Sequence, residues 1–228
     1  MTKSVVLLSG GLDSSTVLAM ARSKGHDVIA LTFDYGQRHA RELESARKVA
    51  SHLGCSDHLI IRLPIGEFLF SSLTDSNERV PEGRTHNEMA EGIPNTYVPA
   101  RNIIFLSIGA SIAESMGAES VFIAANAVDY SGYPDCTPEF IESFQRMLDV
   151  GTKVGRAGRG IRIEAPIIKM SKGDIVRTAS QLGVPLELTW SCYKGNEMAC
   201  GRCDSCTLRL QGFSEAGLKD PLEYEVIE

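Results

Sequence analysis

The sequence predicts an α/β fold, in which an open parallel sheet carries helices on both faces and a small cysteine-rich knuckle follows at the C-terminal end. Short apolar runs, such as 28–33, alternate with helix-like stretches, such as 40–53. A glycine pair directly follows the first apolar run, and four of the six cysteines fall between positions 192 and 206. Buried strands that alternate with helices are typical of parallel sheets joined by right-handed crossovers.

The same periodicity predicts each element in turn. The first half is predicted to contain strand 5–8, helix 14–24, strand 28–33, helix 40–53 and strand 58–62. Residues 71–99 are polar and lack apolar periodicity, which is typical of a lid, a binding loop or a disordered segment. The second half is predicted to contain helix 102–116, strand 121–125, a polar loop at 126–137, a helix from Pro138, strand 161–168 and a helix capped by Ser171.

Length and composition limit the class of protein. At 228 residues, with 43% hydrophobic and 23% charged residues, the chain suits one globular unit. We expect an ATP-binding α/β domain at 1–188 and a metal-binding segment at 189–228 that packs on the same domain. The net charge of −6 and the pI near 5.5 argue against a broad nucleic-acid surface. No apolar run could span a bilayer and no signal peptide is evident, so a cytoplasmic protein without a membrane partner is expected.

The segment SGGLDSS at 9–15 joins the first strand to the first helix. Glycines let backbone N–H groups turn toward an anion, a helix N-terminus adds a favourable dipole, and serines add hydroxyl donors. The Gly-Lys-Ser/Thr ending of the NTPase P-loop and the third glycine of the dinucleotide fingerprint are both missing. On these grounds alone, a phosphate cradle and an ordinary glycine turn with an Asp or Ser cap are equally compatible with the segment.

The cysteines Cys192, Cys200, Cys203 and Cys206 have the spacing of a metal site, with two Cys-x2-Cys steps. Four thiolates suit a tetrahedral zinc ion and leave no position open for catalysis, so the site would be structural. An iron–sulfur cluster also accepts four cysteines and is the alternative.

The SGGLDSS segment resembles the SGGxDS signature of the PP-loop ATP pyrophosphatases. Further motifs at 32–39, 98–102, 129–136 and 189–193, together with the cysteine tail, resemble those of the 7-cyano-7-deazaguanine synthase family. The resemblance runs from Ser4 to about Gly212 and implies a Rossmann-like PP-loop fold. It also implies a carbon–nitrogen ligase that converts 7-carboxy-7-deazaguanine, ammonia and ATP into a nitrile, a precursor of queuosine and archaeosine in tRNA.

The resemblance also implies roles for individual residues. ATP contacts are expected at Leu8, Ser9, Gly10, Gly11, Leu12, Asp13, Ser14, Ser15, Thr16, Val17, Leu18 and Asp34. Catalytic roles are expected for Asp13, which would organise Mg²⁺, and for Ser14, Arg101 and Lys172. Substrate contacts are expected from Gln37, Arg101, Asn102, Asp129, Tyr130, Tyr133 and Asp135. The expected metal is one zinc per chain, and a homodimer is expected.

Two other functions remain open from the sequence. A PP-loop tRNA-modifying sulfurtransferase would need a persulfide cysteine pair or cluster and an RNA-binding surface, which the acidic balance disfavours. A nucleotide-sensing module that binds a partner protein through its knuckle would not turn over ATP with a carboxylate. Direct nucleic-acid binding is not expected for the synthase.

Overall fold

The computed structural model describes residues 1–37, 41–75, 77–89, 91–128 and 132–225, and these contain one parallel sheet flanked by helices. Its five strands are β1 (Lys3–Leu7), β2 (Asp27–Asp34), β3 (Asp57–Arg62), β4 (Ser120–Phe122) and β5 (Arg162–Glu164). The helices are α1 (Leu12–Ser23), α2 (Arg41–His52), α3 (His86–Met89), α4 (Arg101–Met116), α5 (Pro138–Gly151), α6 (Lys153–Arg156), α7 (Lys172–Gln181) and α8 (Asp204–Ala216). No helix in these ranges is long and apolar enough to cross a membrane.

The strand order is β3-β2-β1-β4-β5, and every pair is parallel. The chain adds β2 and β3 on one side of β1 and then returns to add β4 on the other. This reversal makes the carboxyl end of β1 the topological switch point, where open α/β sheets bind ligands. The predicted fold class is therefore confirmed.

The side chains of β1 alternate between two apolar cores, as the pleat of a strand requires. Val6 packs on the core that includes Leu18 of α1. Val5 and Leu7 pack on the opposite core, which includes Leu106 of α4. Because both faces are covered, the central strands carry consecutive apolar residues, such as 28–31 in β2, rather than an alternating pattern.

The fourth and fifth strands are shorter than the sequence predicts. Regular backbone pairing ends after Phe122, and two further backbone hydrogen bonds run from Ile123 N–H to the Glu164 carbonyl at 2.9 Å and from Ala127 N–H to the Ile168 carbonyl at 3.0 Å. Between these two, the side-chain amide of Asn126 donates to the carbonyls of Ile167 and Met170, each at 2.8 Å. An asparagine side chain thus replaces ladder bonds, and an apolar run alone does not predict this change.

The polar stretch 71–99 has little regular structure, as predicted. Its described part contains the four-residue helix α3 and is closed by a hydrogen bond from Ser72 N–H to the Asn95 carbonyl at 2.9 Å. The predicted Ser171 cap is also confirmed, because Ser171 and Asp174 form a reciprocal capping box at the start of α7.

The C-terminal segment is continuous with the α/β core. Helix α8 packs against α7, and Phe213 belongs to the same core as α1. At Gly212 a Cβ atom would lie 2.3 Å from Cγ of Lys172, so only glycine allows the two helices to approach this closely.

Candidate nucleotide and metal sites

A cleft of about 250 Å³ opens at the carboxyl end of β1. Its floor is apolar, with Leu7, Leu31, Phe33 and Phe105 among the residues that line it. Charged and hydrogen-bonding groups surround the floor. A largely apolar cavity with a few convergent polar groups is the usual form of a small-molecule site.

The segment 9–15, called the phosphate loop below, lies at one side of this cleft and is shaped by glycine. Gly10 has φ +86°, and a Cβ atom there would lie 2.5 Å from both Ala46 N and Glu42 O in the first turns of α2. The Ser9 and Ser14 hydroxyl oxygens lie 2.9 Å apart. First-turn N–H groups of any α-helix lack intrahelical acceptors, so α1 presents donors and a positive dipole end beside the cleft.

Asp13 and Lys172 form an ion pair beside the loop. Nζ of Lys172 lies 2.8 Å from each carboxylate oxygen of Asp13. The Lys172 side chain is only 7% exposed and that of Asp13 is 21% exposed. The structure therefore joins the first and seventh helices through two residues that were predicted to be catalytic and that are 159 positions apart.

Arg101 reaches the cleft from the N-terminus of α4. The preceding residue, Ala100, has the left-handed backbone φ of 56°, which is unusual for a residue with a Cβ atom. Nη1 of Arg101 donates to the Tyr35 hydroxyl at 3.3 Å. Arg101 and Tyr35 both line the cleft, together with residues of the loop at 9–15.

Most of the predicted site residues meet at this cleft. Those that line it are Leu8, Ser9, Gly11, Leu12, Asp13, Ser14, Gln37, Arg101, Asn102, Tyr133 and Lys172. Gly10, Ser15, Thr16, Val17, Leu18, Asp34 and Asp135 do not line it. Asp129 and Tyr130 lie outside the described residues.

The predicted nucleotide residues that do not line the cleft have structural contacts instead. Val17 and Leu18 are fully buried in the core. Thr16 donates its hydroxyl to the Leu12 carbonyl at 2.8 Å, and Ser15 donates to the Gly11 carbonyl at 2.7 Å. Along α1, only the first turn can therefore reach a ligand directly, and the following turns support it.

Asp135 stabilises the start of α4. Its carboxylate accepts a hydrogen bond from the Asn102 backbone N–H at 3.2 Å, and its carbonyl accepts from the Asn102 side-chain amide at 3.1 Å. Burial raises the pKa of this carboxyl, while the Asn102 hydrogen bond and the charge of Arg101 act in the opposite direction. Asp135 therefore fixes the end of the helix that carries Arg101.

The sequence analysis missed two charged residues that line the cleft, Glu42 and Arg209. Burial raises the pKa of Glu42 to about 7, against the opposing charge of Arg101. Arg209 is 1% exposed and forms a double contact with Asp220, with Nε and Nη2 at 2.7 and 3.0 Å from the carboxylate oxygens. Each is a charged residue within a helix that also carries exposed polar residues, so no local pattern distinguishes it from a surface residue.

The four predicted cysteine ligands come together. Their sulfur atoms all lie within 4.8 Å of one another, and all four residues are buried. Backbone N–H groups of Lys194 and Cys200 approach the Cys192 sulfur at 3.4 Å. Hydrogen bonds from the neighbouring thiols and these N–H groups lower the pKa of Cys192, so the site favours a thiolate. The cluster is a candidate metal site.

The knuckle also forms a wall of the nucleotide cleft. Trp190, Ser191 and Tyr193 line the cleft beside Cys192. The backbone N–H of Trp190 donates to the Gly10 carbonyl at 2.9 Å, and its indole N–H donates to the Cys192 carbonyl at 2.9 Å. The motif at 189–193 had been noted for its resemblance, but its contact with the phosphate loop depends on the tertiary fold.

A family model described as queuosine biosynthesis protein QueC matches residues 3–217. The chain belongs to the QueC family. Its relatives include the 7-cyano-7-deazaguanine synthase of Thermoplasma acidophilum, which is 55% identical over 98% of this chain and 92% of its own length. The enzyme of the same name from Desulfitobacterium hafniense is 52% identical, over 98% of this chain and 94% of its own.

A solved structure supports the fold of this QueC family chain. The NMN synthetase of Francisella tularensis superposes with a TM-score of 0.51 over 96% of this chain and 78% of its own, at 16% identity. An identity this low shows a shared architecture and carries no information about the substrate.

Proposed function

We propose that this chain is a carbon–nitrogen ligase that uses ATP and ammonia to convert 7-carboxy-7-deazaguanine into 7-cyano-7-deazaguanine, a queuosine precursor. The observation that carries this proposal is the identity of more than 50% with synthases of that name over 98% of the chain. The cleft adds support from its chemistry, because a phosphate loop, an acid–lysine pair and an arginine surround one cavity.

The reaction explains why this cleft is suitable. A carboxylate is a poor electrophile, so transfer of adenylate from ATP gives it a leaving group. Ammonia then forms an amide, and activation of the amide oxygen by a second ATP allows dehydration to the nitrile. The first turn of α1 and Lys172 would bind phosphate oxygens in both activations, since charge builds up at the same place.

Asp13 is suited to hold Mg²⁺ with the bound phosphates. Protein sites for this ion commonly supply one or two carboxylates and leave the remaining positions to phosphate oxygens and water. The Asp13 carboxylate is partly exposed at the cleft beside the loop, which fits such a donor set. When bound, the ion would neutralise phosphate charge.

Arg101 would clamp either the substrate carboxylate or a phosphate through its planar fork. Gln37, Asn102 and Tyr133 also line the cleft and would supply polar groups to the substrate. Asp129 and Tyr130 remain proposed substrate contacts. Asp135 would act through Asn102, because its carboxylate holds the start of α4.

We assign the knuckle to a structural zinc ion. Tetrahedral Zn–S bonds of about 2.3 Å place the four sulfurs roughly 3.8 Å apart. The observed limit of 4.8 Å is close to that spacing, whereas a multi-iron cluster would hold the sulfurs further apart. The ion would close its coordination sphere with protein ligands and take no part in the reaction.

Product analysis tests the proposed function. The purified protein is incubated with 7-carboxy-7-deazaguanine, ammonium and Mg-ATP, and products are identified by mass spectrometry. The nitrile is expected. Without ammonium, only the adenylated acid, or the free acid that its hydrolysis returns, should be found. An unchanged acid together with sulfur transfer to tRNA would instead favour the sulfurtransferase.

A further inference from the structure

Glu42 is a cleft residue with no assigned role. It lies in the first turn of α2, and this turn packs so closely on the phosphate loop that a Cβ atom at Gly10 would lie 2.5 Å from the Glu42 carbonyl. Glu42 is one of the residues that line the cleft, together with Asp13 and Lys172. Glu42 therefore lies close to the place where an acid bound at the loop would be activated.

The surroundings of Glu42 differ from those of a structural ion pair. Across the described ranges, its carboxylate accepts no hydrogen bond from a side chain or backbone group. The ionisable groups that face it there are Arg101 on α4 and Tyr35 after β2, and these two are hydrogen-bonded to each other. A carboxylate held in a cleft without a hydrogen-bonding partner can accept a proton from a ligand.

Both chemical stages of the proposed reaction need a proton acceptor. In the first, nitrogen attacks the acyl carbon, the C–N bond forms, and the C–O bond to the nucleotide phosphate breaks, while the nitrogen loses one proton. In the second, the activated amide loses two protons from nitrogen as its C–O bond breaks and the triple bond forms. The nucleotide leaves with the oxygen in each stage.

We propose that Glu42 is the catalytic base that takes these protons from the substrate nitrogen and returns them to water between steps. This inference rests on the proposed function and adds a residue to it. Glu42 acts on nitrogen after activation, so it is separate from the groups that bind ATP. A general base at this position provides about 10²- to 10⁴-fold of the rate.

The pH dependence follows from the burial of Glu42. Burial raises its pKa to about 7, and the opposing charge of Arg101 limits the rise. The base is active when deprotonated, so the rate should increase with pH through about 7 and then level off. This pH dependence is best measured on dehydration of the corresponding amide. That reaction needs no added ammonia, so protonation of ammonia does not contribute to the pH profile.

The decisive variant is Glu42→Gln, which keeps the shape and removes the basic group. Dehydration of the amide should fall at least about 100-fold and lose its dependence on pH near neutrality. Acid-dependent exchange between ATP and pyrophosphate without ammonium should stay within roughly threefold, because activation precedes proton removal. Glu44→Gln is the matched control, since Glu44 is on the same helix turn but is 63% exposed and paired with Lys48.

Four outcomes separate the possibilities. Equal loss of exchange and dehydration in Glu42→Gln would make Glu42 a binding residue and overturn the inference, as would retained dehydration with an unchanged pH profile. If Glu42→Gln fails to fold, Glu42→Asp should keep the rise with pH at a reduced rate, and loss of that rise contradicts the base. A wild-type protein without exchange or nitrile would reject the proposed function itself.

Discussion

Asp13 and Lys172 form an ion pair that has a structural role in addition to the chemical one proposed for them. Asp13→Asn should lower nitrile formation at least about 100-fold, the size expected for loss of a preorganised electrostatic contact. It should also destabilise the fold by about 2 kcal/mol, because it removes the negative charge that lies against the buried Lys172 ammonium. The double variant with Asp13→Asn and Lys172→Met should lose less free energy of unfolding than the sum of the losses in the two single variants, as measured by urea unfolding.

Lys48→Met is the control for this comparison of the single and double variants. The Lys48–Glu44 pair is exposed, at 53% and 63%, so its loss should change the free energy of unfolding by less than about 0.5 kcal/mol. Additive effects of the Asp13 and Lys172 changes would mean that the pair is not coupled in solution.

Helix α4 has a left-handed residue at each end, which allows a paired test of backbone strain. Ala100→Gly should raise the free energy of unfolding by about 1 kcal/mol, because glycine relieves the strain at φ 56°. Gly117→Ala should lower it by a similar amount, since φ there is 67° and no atom lies within 4 Å of the added Cβ. Thermal unfolding measures both, and shifts of the same sign would refute the explanation by strain.

At the scale of single residues, the sequence predicted groups that lie within motifs. The four cysteines could be found from their spacing, whereas Gly10 and Asp13 could be assigned only through the resemblance of their motif to a known signature. Glu42 and Arg209 could not be found, because each is one charge in a helix and its burial depends on distant packing. The structural role of Asp135 was likewise missed, since it depends on a hydrogen bond to Asn102, 33 positions away.

At the scale of elements, the knuckle couples metal binding to the nucleotide cleft. Cys203→Ser should lose the metal, lower the melting temperature and weaken ATP binding, because Trp190 joins the cysteine cluster to the Gly10 carbonyl. Elemental analysis, thermal unfolding and calorimetry measure the three effects. Cys55→Ser is the control and should retain about one zinc per chain, since Cys55 lies outside the cluster. Iron with sulfide, or full ATP affinity without metal, would contradict the account.

Arg209 joins α8 to the segment 186–189 and to Asp220 near the C-terminal end. It contacts Asp220 with two nitrogens and also donates to the Thr189 hydroxyl at 2.7 Å and the Leu186 carbonyl at 3.1 Å. A lysine cannot reproduce the paired contact of the planar guanidinium with the carboxylate. Arg209→Lys should therefore lower the free energy of unfolding by about 3 kcal/mol, as measured with urea. Arg177→Lys is the control, at less than about 1 kcal/mol, because the Arg177 side chain is 44% exposed. Equal costs would show that burial of Arg209 does not matter.

Element type was easier to predict than element length. Apolar runs correctly indicated all five described strands, but β4 and β5 have three residues each, whereas the sequence predicted five and eight. The difference arises because Asn126 replaces backbone pairing and Pro166 has no N–H to donate.

At the scale of the whole molecule, strand order determines the site. Parallel strands bring their carboxyl ends to one edge, so motifs after β1, β2 and β4 meet there although they are far apart in sequence. The sequence predicted the class from its alternation of strands and helices. It could not predict the order β3-β2-β1-β4-β5, because the pairing of strands depends on contacts across the chain.

The central claim is that this protein converts the acid to the nitrile through an amide in two successive activations, and a single-turnover experiment tests it most directly. Protein in excess over 7-carboxy-7-deazaguanine is mixed with Mg-ATP and ammonium, quenched at intervals and examined by mass spectrometry for acid, amide and nitrile. The account predicts that the amide rises and then falls while the nitrile comes to equal the acid supplied. Acid that persists while ATP is consumed, or nitrile that forms without ammonium, would contradict it.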